Sequence, residues 1–518
     1  MKRILALTLA TVMLLALCAC GGNSGAGSEV SYDIPEGKVI PDDAVVKITI
    51  PSHASWPYEE GWKVWEYIKE AIGGTVDVTA IPSSEFKTKF PLIMAAPEDL
   101  PDLISFQGKP SGFADYCSQG AFLAYDDYLE YMPDYVEFWE NVPEDEKWMQ
   151  DVRKSFDGKI YYSPAHGLER STNIHGWLYR KDIFEKHNLK TPETMDELYE
   201  VCKTLKELYP DSYPFAMRSG FNNLSVIGSS WKPNFHIGVY YDFENEKWCY
   251  GAVDPVMRDI VEYFSKMVAE KLIPEDFFTM NTSSWQELVT TDRGFIMPEY
   301  QVRIDFFNNI ARQKNPEFTM AACLPPRAEN GMGVNMINKY NFVPSGYAVL
   351  NTRDEGRIAN AFRILNWFYT DEATELVSWG KEGETYEIVD GKKQFIMDDS
   401  SENVQTLYGF NTLGTHIRHA PDSIDASISE EQASVTDFLL DNTYPQLDPT
   451  MYLEFTTEQS AELSDISTEI GTFVSEHIQK FILGQMPMSE WDAFQAELSE
   501  FRIDRLLEIY EEAYTKVK

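Results

Sequence analysis

Covalent chemistry in a protein needs a nucleophile beside a base, a cluster of metal ligands or a loop that cradles phosphate, and each leaves a spacing that can be searched for. This chain of 518 residues has no GxxxxGKS/T loop, no HExxH helix and no GxSxG elbow. Its eight histidines are scattered, His166 and His175 are too far apart in sequence to argue for ligands, and no metal site is expected. Cys117, Cys202, Cys249 and Cys323 have no CxxC spacing, and no disulfide is assigned. With 83 Asp and Glu, carboxylate pairs arise by chance, so they do not argue for glycosidase chemistry. What the chain has in plenty is ring surface, since 14% of its residues are Phe, Trp or Tyr. Rings stack on apolar C–H faces, while carboxylates, amides and guanidiniums meet hydroxyls, which suits non-covalent binding in a concave site. No cofactor is implied.

The formal net charge of −39 repels phosphate backbones and anionic lipid, so nucleic-acid binding is excluded as a main role. At 43% hydrophobic and 25% charged the composition is that of a globular protein. The N-terminus is different. Lys2 and Arg3 precede an apolar run, Ile4 to Leu17, which is too short to span a bilayer and fits the core of a secretory signal. It ends in Leu17-Cys18-Ala19-Cys20-Gly21-Gly22, which resembles the bacterial lipobox, with Cys20 as the lipid-accepting residue. Residues 1–19 then read as a lipoprotein signal peptide and 20–43, rich in Gly, Ser, Pro and acids, as a flexible tether. The expected location is the extracellular face of the cell membrane, held by a lipid anchor alone.

The binding residues must be positioned by regular elements, and these alternate. Val45–Ile50 is β-branched and reads as a strand, as do Thr75–Ile81 and Leu103–Phe106. Helical periodicity marks Tyr58–Ile72 and Glu85–Ala96, the latter distorted by Pro91. Strand, helix, strand, helix, strand predicts right-handed crossovers and a largely parallel sheet. Thr194-Met195-Asp196-Glu197 is a capping box opening a helix to Leu208, and Tyr241–Tyr250 reads as a hairpin. Helices are also predicted over Asp254–Glu270, Asp354–Tyr369 and two C-terminal stretches, one through Val474, Ile478, Phe481 and Ile482 and one from Ser489 to Phe501. The class is α/β.

Several segments, in order, resemble the large substrate-binding lipoproteins of Gram-positive ABC sugar importers, the extracellular solute-binding protein family 1 type. They are Leu92–Ile104 with its Leu100-Pro101-Asp102 turn, Asp157-Gly158-Lys159-Ile160-Tyr161, Arg180-Lys181-Asp182, Pro192-Glu193-Thr194, the Gly380 to Gly383 region and Phe481-Ile482-Leu483-Gly484. The Pro97-Glu98 pair departs from the family's usual Ser-Gly. The resemblance implies a two-lobe type 2 periplasmic-binding-protein fold with the ligand in an interlobe cleft closed by a hinge. Lobe 1 is expected to comprise 44–168 and 290–345, and lobe 2 to comprise 169–289 and 346–518 with the C-terminal helices.

On that frame the cleft candidates are Trp56 after the first strand, Arg170 in the first crossing, Trp231 in the second lobe, Glu299 and Tyr300 where the chain re-enters the first lobe, and Tyr340 before the later crossing. Trp177 and Tyr179 are assigned to the core. The implied function is capture of a carbohydrate, an oligosaccharide in particular, and its delivery to permease subunits by a monomeric, non-enzymatic protein. The rival readings are a same-fold binder of peptides or another solute, one that signals to a sensor kinase, and a secreted carbohydrate-active enzyme.

Overall fold

The computed structural model describes residues 34–54, 56–107, 110, 112–144, 154–155, 157–166, 175–329, 331–333, 342–397, 403–443, 450, 453 and 455–517. Cys20, Arg170 and Tyr340 lie outside the described residues. Two bodies are each built on a sheet.

The first sheet has the order β2-β1-β3-β10-β4, from Val45–Ser52 (β1), Thr75–Pro82 (β2), Leu103–Gln107 (β3), Ser163–His166 (β4) and Phe342–Val349 (β10). β1 runs parallel to β2 and β3, while β10 is antiparallel to both β3 and β4. The parallel core expected from the sequence is present, with one reversed strand inserted. β1, β2, β3 and β4 therefore end at one edge, where an open α/β sheet presents its ligand crevice. Asp102, 1% exposed, accepts from the Lys47 amide at 2.7 Å and from the Arg357 guanidinium at 2.8 Å, tying β1 and β3 to the helix Glu355–Trp367. Burial pushes its carboxyl up, against the pull of Arg357.

The second sheet, β8-β5-β9, joins His175–Arg180 (β5), Ile296–Tyr300 (β8) and Met320–Cys323 (β9), all antiparallel. Arg180 has no exposed surface, and its guanidinium is held by Asp182 and Asp292, both at 2.7 Å, over the Phe318 ring. The capping box at Thr194 forms as the sequence predicts, and Val239–Asp242 (β6) pairs with Lys247–Tyr250 (β7) as the predicted hairpin. The helix Thr457–Ile482, opened by a second capping box at Thr456, lays Ile466, Ile470, Val474 and Ile478 into the core of this body.

The sheet memberships correct three expectations. Residues 290–323 were expected in the first lobe, but β8 and β9 both pair with β5, because an antiparallel addition between distant segments leaves no local signal. Residues 346–518 were expected wholly in the second lobe, yet Tyr347, Val349, Phe362, Leu365, Val377 and Phe410 share the first body's core. The tether was expected to run to Asp43. Instead Ile40 is fully buried in that core and the amides of Val39 and Ile40 donate to the Ile72 carbonyl, an apolar pair winning over its polar surroundings. The helix expected from Tyr58 begins at Lys63. The four described cysteines form no disulfide with one another. Among the described residues no helix is long and apolar enough to cross a membrane.

Candidate functional site

At the C-terminal end of β1 the chain enters a loop held by its own first residue. The Ser52 hydroxyl accepts from the Tyr58 amide at 2.9 Å, and the Ser52 carbonyl accepts from Ser83 at 3.0 Å. This sets His53 and Trp56 ring on ring, with centroids 4.6 Å apart and planes 22° from parallel. Both rings are half-buried. The His53 imidazole lies close enough to Arg303, on the second body, for the guanidinium to act on its charge. Burial first, and Arg303 second, lower its pKa to about 4. The loop thus carries a stacked aromatic pair whose imidazole feels the charge of Arg303.

Arg303 follows the end of β8. Glu299 lies opposite Gly176 and Tyr300 opposite His175 in the ladder with β5. Glu299 is 2% exposed, and its carboxylate accepts from Arg218 at 2.7 Å and 2.9 Å and from the Tyr300 amide at 3.1 Å. Arg218 is aimed there because Ala216 donates to the Ile296 carbonyl, so the Phe215–Arg218 segment runs along β8. The Arg218 guanidinium lies 4.6 Å and the Arg303 guanidinium 5.7 Å from the ring centroid of Trp285, which is fully buried. Tyr300 stays 40% exposed and meets the His175 ring at 4.2 Å. Burial lowers the His175 pKa; Arg218 pushes the same way and Glu299 opposes them. Burial likewise lowers that of Arg303.

Farther along the same sheet edge, where β4 ends, is a pocket of about 530 Å³. Its wall is Phe138, its floor His166 and Tyr369, and its rim Asn141, Asp371 and Arg418. Phe138 is placed by the helix Pro133–Glu140, whose first amides, of Asp134 and Tyr135, donate to Asn366. The Arg418 guanidinium lies 5.2 Å from the Phe138 centroid, donates to the Tyr369 carbonyl and pairs with Asp371. Between β1 and β4 stand β3 and β10, so the His53 loop and this pocket are separated by three strand spacings, about 14 Å. That span is longer than one sugar ring; one end offers a stacked aromatic pair and the other an aromatic face beside a guanidinium.

Of the expected candidates, Trp56 stands in the loop after β1, while Glu299 and Tyr300 stand together at the end of β8. Glu299 belongs to the second body rather than the first, and its carboxylate is engaged by Arg218. Trp231 does not join them. It is 8% exposed, packed in the second core against Tyr263 at 5.4 Å and Phe264 at 6.2 Å, so the expectation of a free stacking face is corrected. Trp177, 2% exposed and stacked on Phe215, is core. His53, Arg218, Arg303, Phe138 and Arg418 were not foreseen. His53 stands in the same loop as Trp56 and shared its positional argument, whereas the three arginines fall at turns and helix ends with no pattern around them. No group of three or more His, Cys, Asp or Glu among the described residues is arranged to hold a metal ion.

The comparisons with known proteins agree with this architecture. Lipoprotein LipO of Bacillus subtilis is 26% identical over 412 residues, covering 75% of this chain and 74% of its own. The polygalacturonan/rhamnogalacturonan-binding protein YtcQ of the same organism is 21% identical and aligns with 98% of this chain and 99% of its own. The crystal structure of the alginate-binding protein AlgQ2 without calcium ion superposes with a TM-score of 0.75 at 19% identity, covering 93% of this chain and 99% of that one. Residues 59–375 match the family described as bacterial extracellular solute-binding protein, which takes in the whole second sheet and β10, and the chain belongs to that family.

Proposed function

We propose that the protein is the membrane-anchored binding component of an ABC importer, that it captures an oligosaccharide in the groove between its two bodies, and that it hands the ligand to permease subunits without chemical change. The observation that carries this is an aromatic face beside a guanidinium in the pocket where β4 ends, about 14 Å along the sheet edge from a stacked aromatic pair after β1. Those are Phe138 with Arg418, and the stacked pair His53 and Trp56. The names of the relatives, which state binding to polygalacturonan, rhamnogalacturonan and alginate, support a saccharide over a peptide. Attachment through a diacylated Cys20 supplies the two chains that stable anchoring needs. Trp56, Tyr300 and, outside the described residues, Arg170 and Tyr340 are the proposed ligand contacts.

The test is calorimetry on the soluble chain from Ser24 onward against a panel of oligosaccharides, peptides and metal chelates, with scattering on any complex. A saccharide that binds and reduces the radius of gyration is the expected result. A peptide or chelate as the tight ligand, with no saccharide response, overturns the sugar assignment, and release of a shortened saccharide overturns the non-enzymatic one.

A further inference from the structure

One arginine of the first body is bonded at one end of its guanidinium and left open along the other edge. Arg418 stands in a segment that runs beside β4, where the His166 amide donates to the Ile417 carbonyl at 2.6 Å and the His419 amide to the His166 carbonyl at 2.9 Å. Ile417 and His419 are buried, and the alternation of an extended segment turns Arg418 the other way, into the lining of the pocket where β4 ends. Its Nη1 donates to the Tyr369 carbonyl and to Asp371 at 3.1 Å. Those two acceptors fix the plane of the guanidinium. Nε and Nη2, which form the other edge, have no acceptor among the described residues, although the side chain is only 25% exposed. Two parallel N–H groups in a fixed plane make a fork for two adjacent oxygens. Partly desolvated donors without acceptors are costly until a ligand or water completes them. The guanidinium lies 5.2 Å from the Phe138 centroid, in a pocket whose volume of about 530 Å³ is ordinary for a small-molecule site. The described lining also holds acceptors without a cation of their own. The Glu137 carboxylate forms no ion pair among the described residues, and Asp134 accepts from the Asn366 amide group at 2.6 Å. A ligand carboxylate fills the fork but has no hydrogen to give these groups, whereas a hydroxyl both accepts and donates. Hydroxyls on neighbouring ring carbons offer two adjacent oxygens to the fork and two hydrogens to the carboxylates.

Resting on the saccharide reading above, we infer that the Nε–Nη2 edge of Arg418 is the specificity-determining contact of this pocket, and that it takes a vicinal diol of one neutral pyranose unit beside Phe138, with Asp134 and Glu137 accepting the diol's hydrogens. The ligand is then an oligosaccharide with two neighbouring unsubstituted hydroxyls on the unit seated there. Because the fork is already oriented by Tyr369 and Asp371, little side-chain freedom is lost when the diol docks.

The experiment removes one hydroxyl at a time. Galactobiose, mannobiose, xylobiose and cellobiose, and the trisaccharide of each, are titrated by calorimetry beside analogues with hydrogen in place of the C2 or the C3 hydroxyl. Charge-assisted contacts predict at least one saccharide whose deoxy analogue binds roughly 10- to 100-fold more weakly than its parent. In Arg418→Lys, which keeps the charge and loses the fork, the parent falls to within about threefold of that analogue. An arginine with a purely structural role lowers both together and leaves their ratio as in the wild type, and that result overturns the contact. So does a wild-type series in which saccharides bind but no deoxy analogue is weakened beyond about threefold, a comparison that needs no variant to fold. Digalacturonate binding more tightly than every neutral saccharide overturns the diol in favour of a carboxylate and leaves the saccharide reading standing. Failure of every saccharide to bind overturns the reading on which the subsite rests.

Discussion

Replacing Glu299 by Gln separates a structural carboxylate from a ligand contact. The wild-type carboxylate is 2% exposed and accepts three hydrogen bonds, two from Arg218 on one oxygen and one from the Tyr300 amide on the other. A glutamine keeps the shape but has only one accepting oxygen. Whichever way the amide turns, an N–H faces a donor, and the Arg218 guanidinium, its side chain only 16% exposed, loses its counter-charge beside Arg303. Removing one member of a buried pair costs about 3–5 kcal/mol. The loss should appear in the second body, so urea unfolding is followed by tryptophan fluorescence and by hydrogen exchange along β5 and β8; a single global midpoint would blur two bodies into one. Arg218→Met should cost a similar amount. The double variant should cost less than the sum of the two by about 1–3 kcal/mol, because each single change strands the partner. Affinity for saccharide in the folded fraction should not fall in Glu299→Gln. A stability change within about 0.5 kcal/mol, the range of an ordinary surface substitution, or strict additivity in the double variant, would refute the argument.

Trp56→Ala removes a half-buried platform and should weaken saccharide binding by about 2–4 kcal/mol with little change in stability. Trp231→Ala should do the reverse, costing about 3–5 kcal/mol of stability with affinity intact in the folded fraction; calorimetry and denaturation on both variants check the pair, and swapped results would return Trp231 to the site. Acid should destabilise the fold. Burial lowers the pKa of His416 to about 4 and that of His419 well below its usual value, their rings 5.1 Å apart. The folded state then binds fewer protons than the unfolded chain, and stability present above about pH 6.5 is lost as pH falls towards 4, by about 3 kcal/mol for His416 alone. Urea midpoints at pH 7.5, 6.0 and 4.5 measure it, and a flat series contradicts it. Cys20→Ala should leave the chain unprocessed or released into the medium, and retention in the membrane at normal mature mass argues against the lipid anchor.

What could be read from the sequence was what is encoded locally. The capping box at Thr194, the β6–β7 hairpin and the β1–β2–β3 alternation carry their signals within about a dozen residues, and all three form. The pairing of β8 and β9 with β5 joins residues more than a hundred positions apart, and nothing in Ile296–Tyr300 names its neighbour. The same limit governed the site. Trp56 could be singled out because it follows a readable strand, whereas Arg218 and Arg303 come together only when the second sheet brings them to Trp285. Trp231 illustrates the opposite error, since a ring after a small-residue turn looks available until Tyr263 and Phe264 close over it.

The interleaving of chain segments also governs the order in which the molecule can be made. β3 and β4 are bridged by β10, so the first sheet cannot close before residue 349 is available. The second body waits longer, because Ile466, Ile470, Val474 and Ile478 belong to its largest core. Neither half can therefore complete itself on the ribosome while the rest is still being synthesised, and contacts of such long sequence separation form slowly. If the chain is exported as proposed, this topology would keep both cores unfinished until nearly all of it has passed the secretion channel, so that its compact form is reached on the far side.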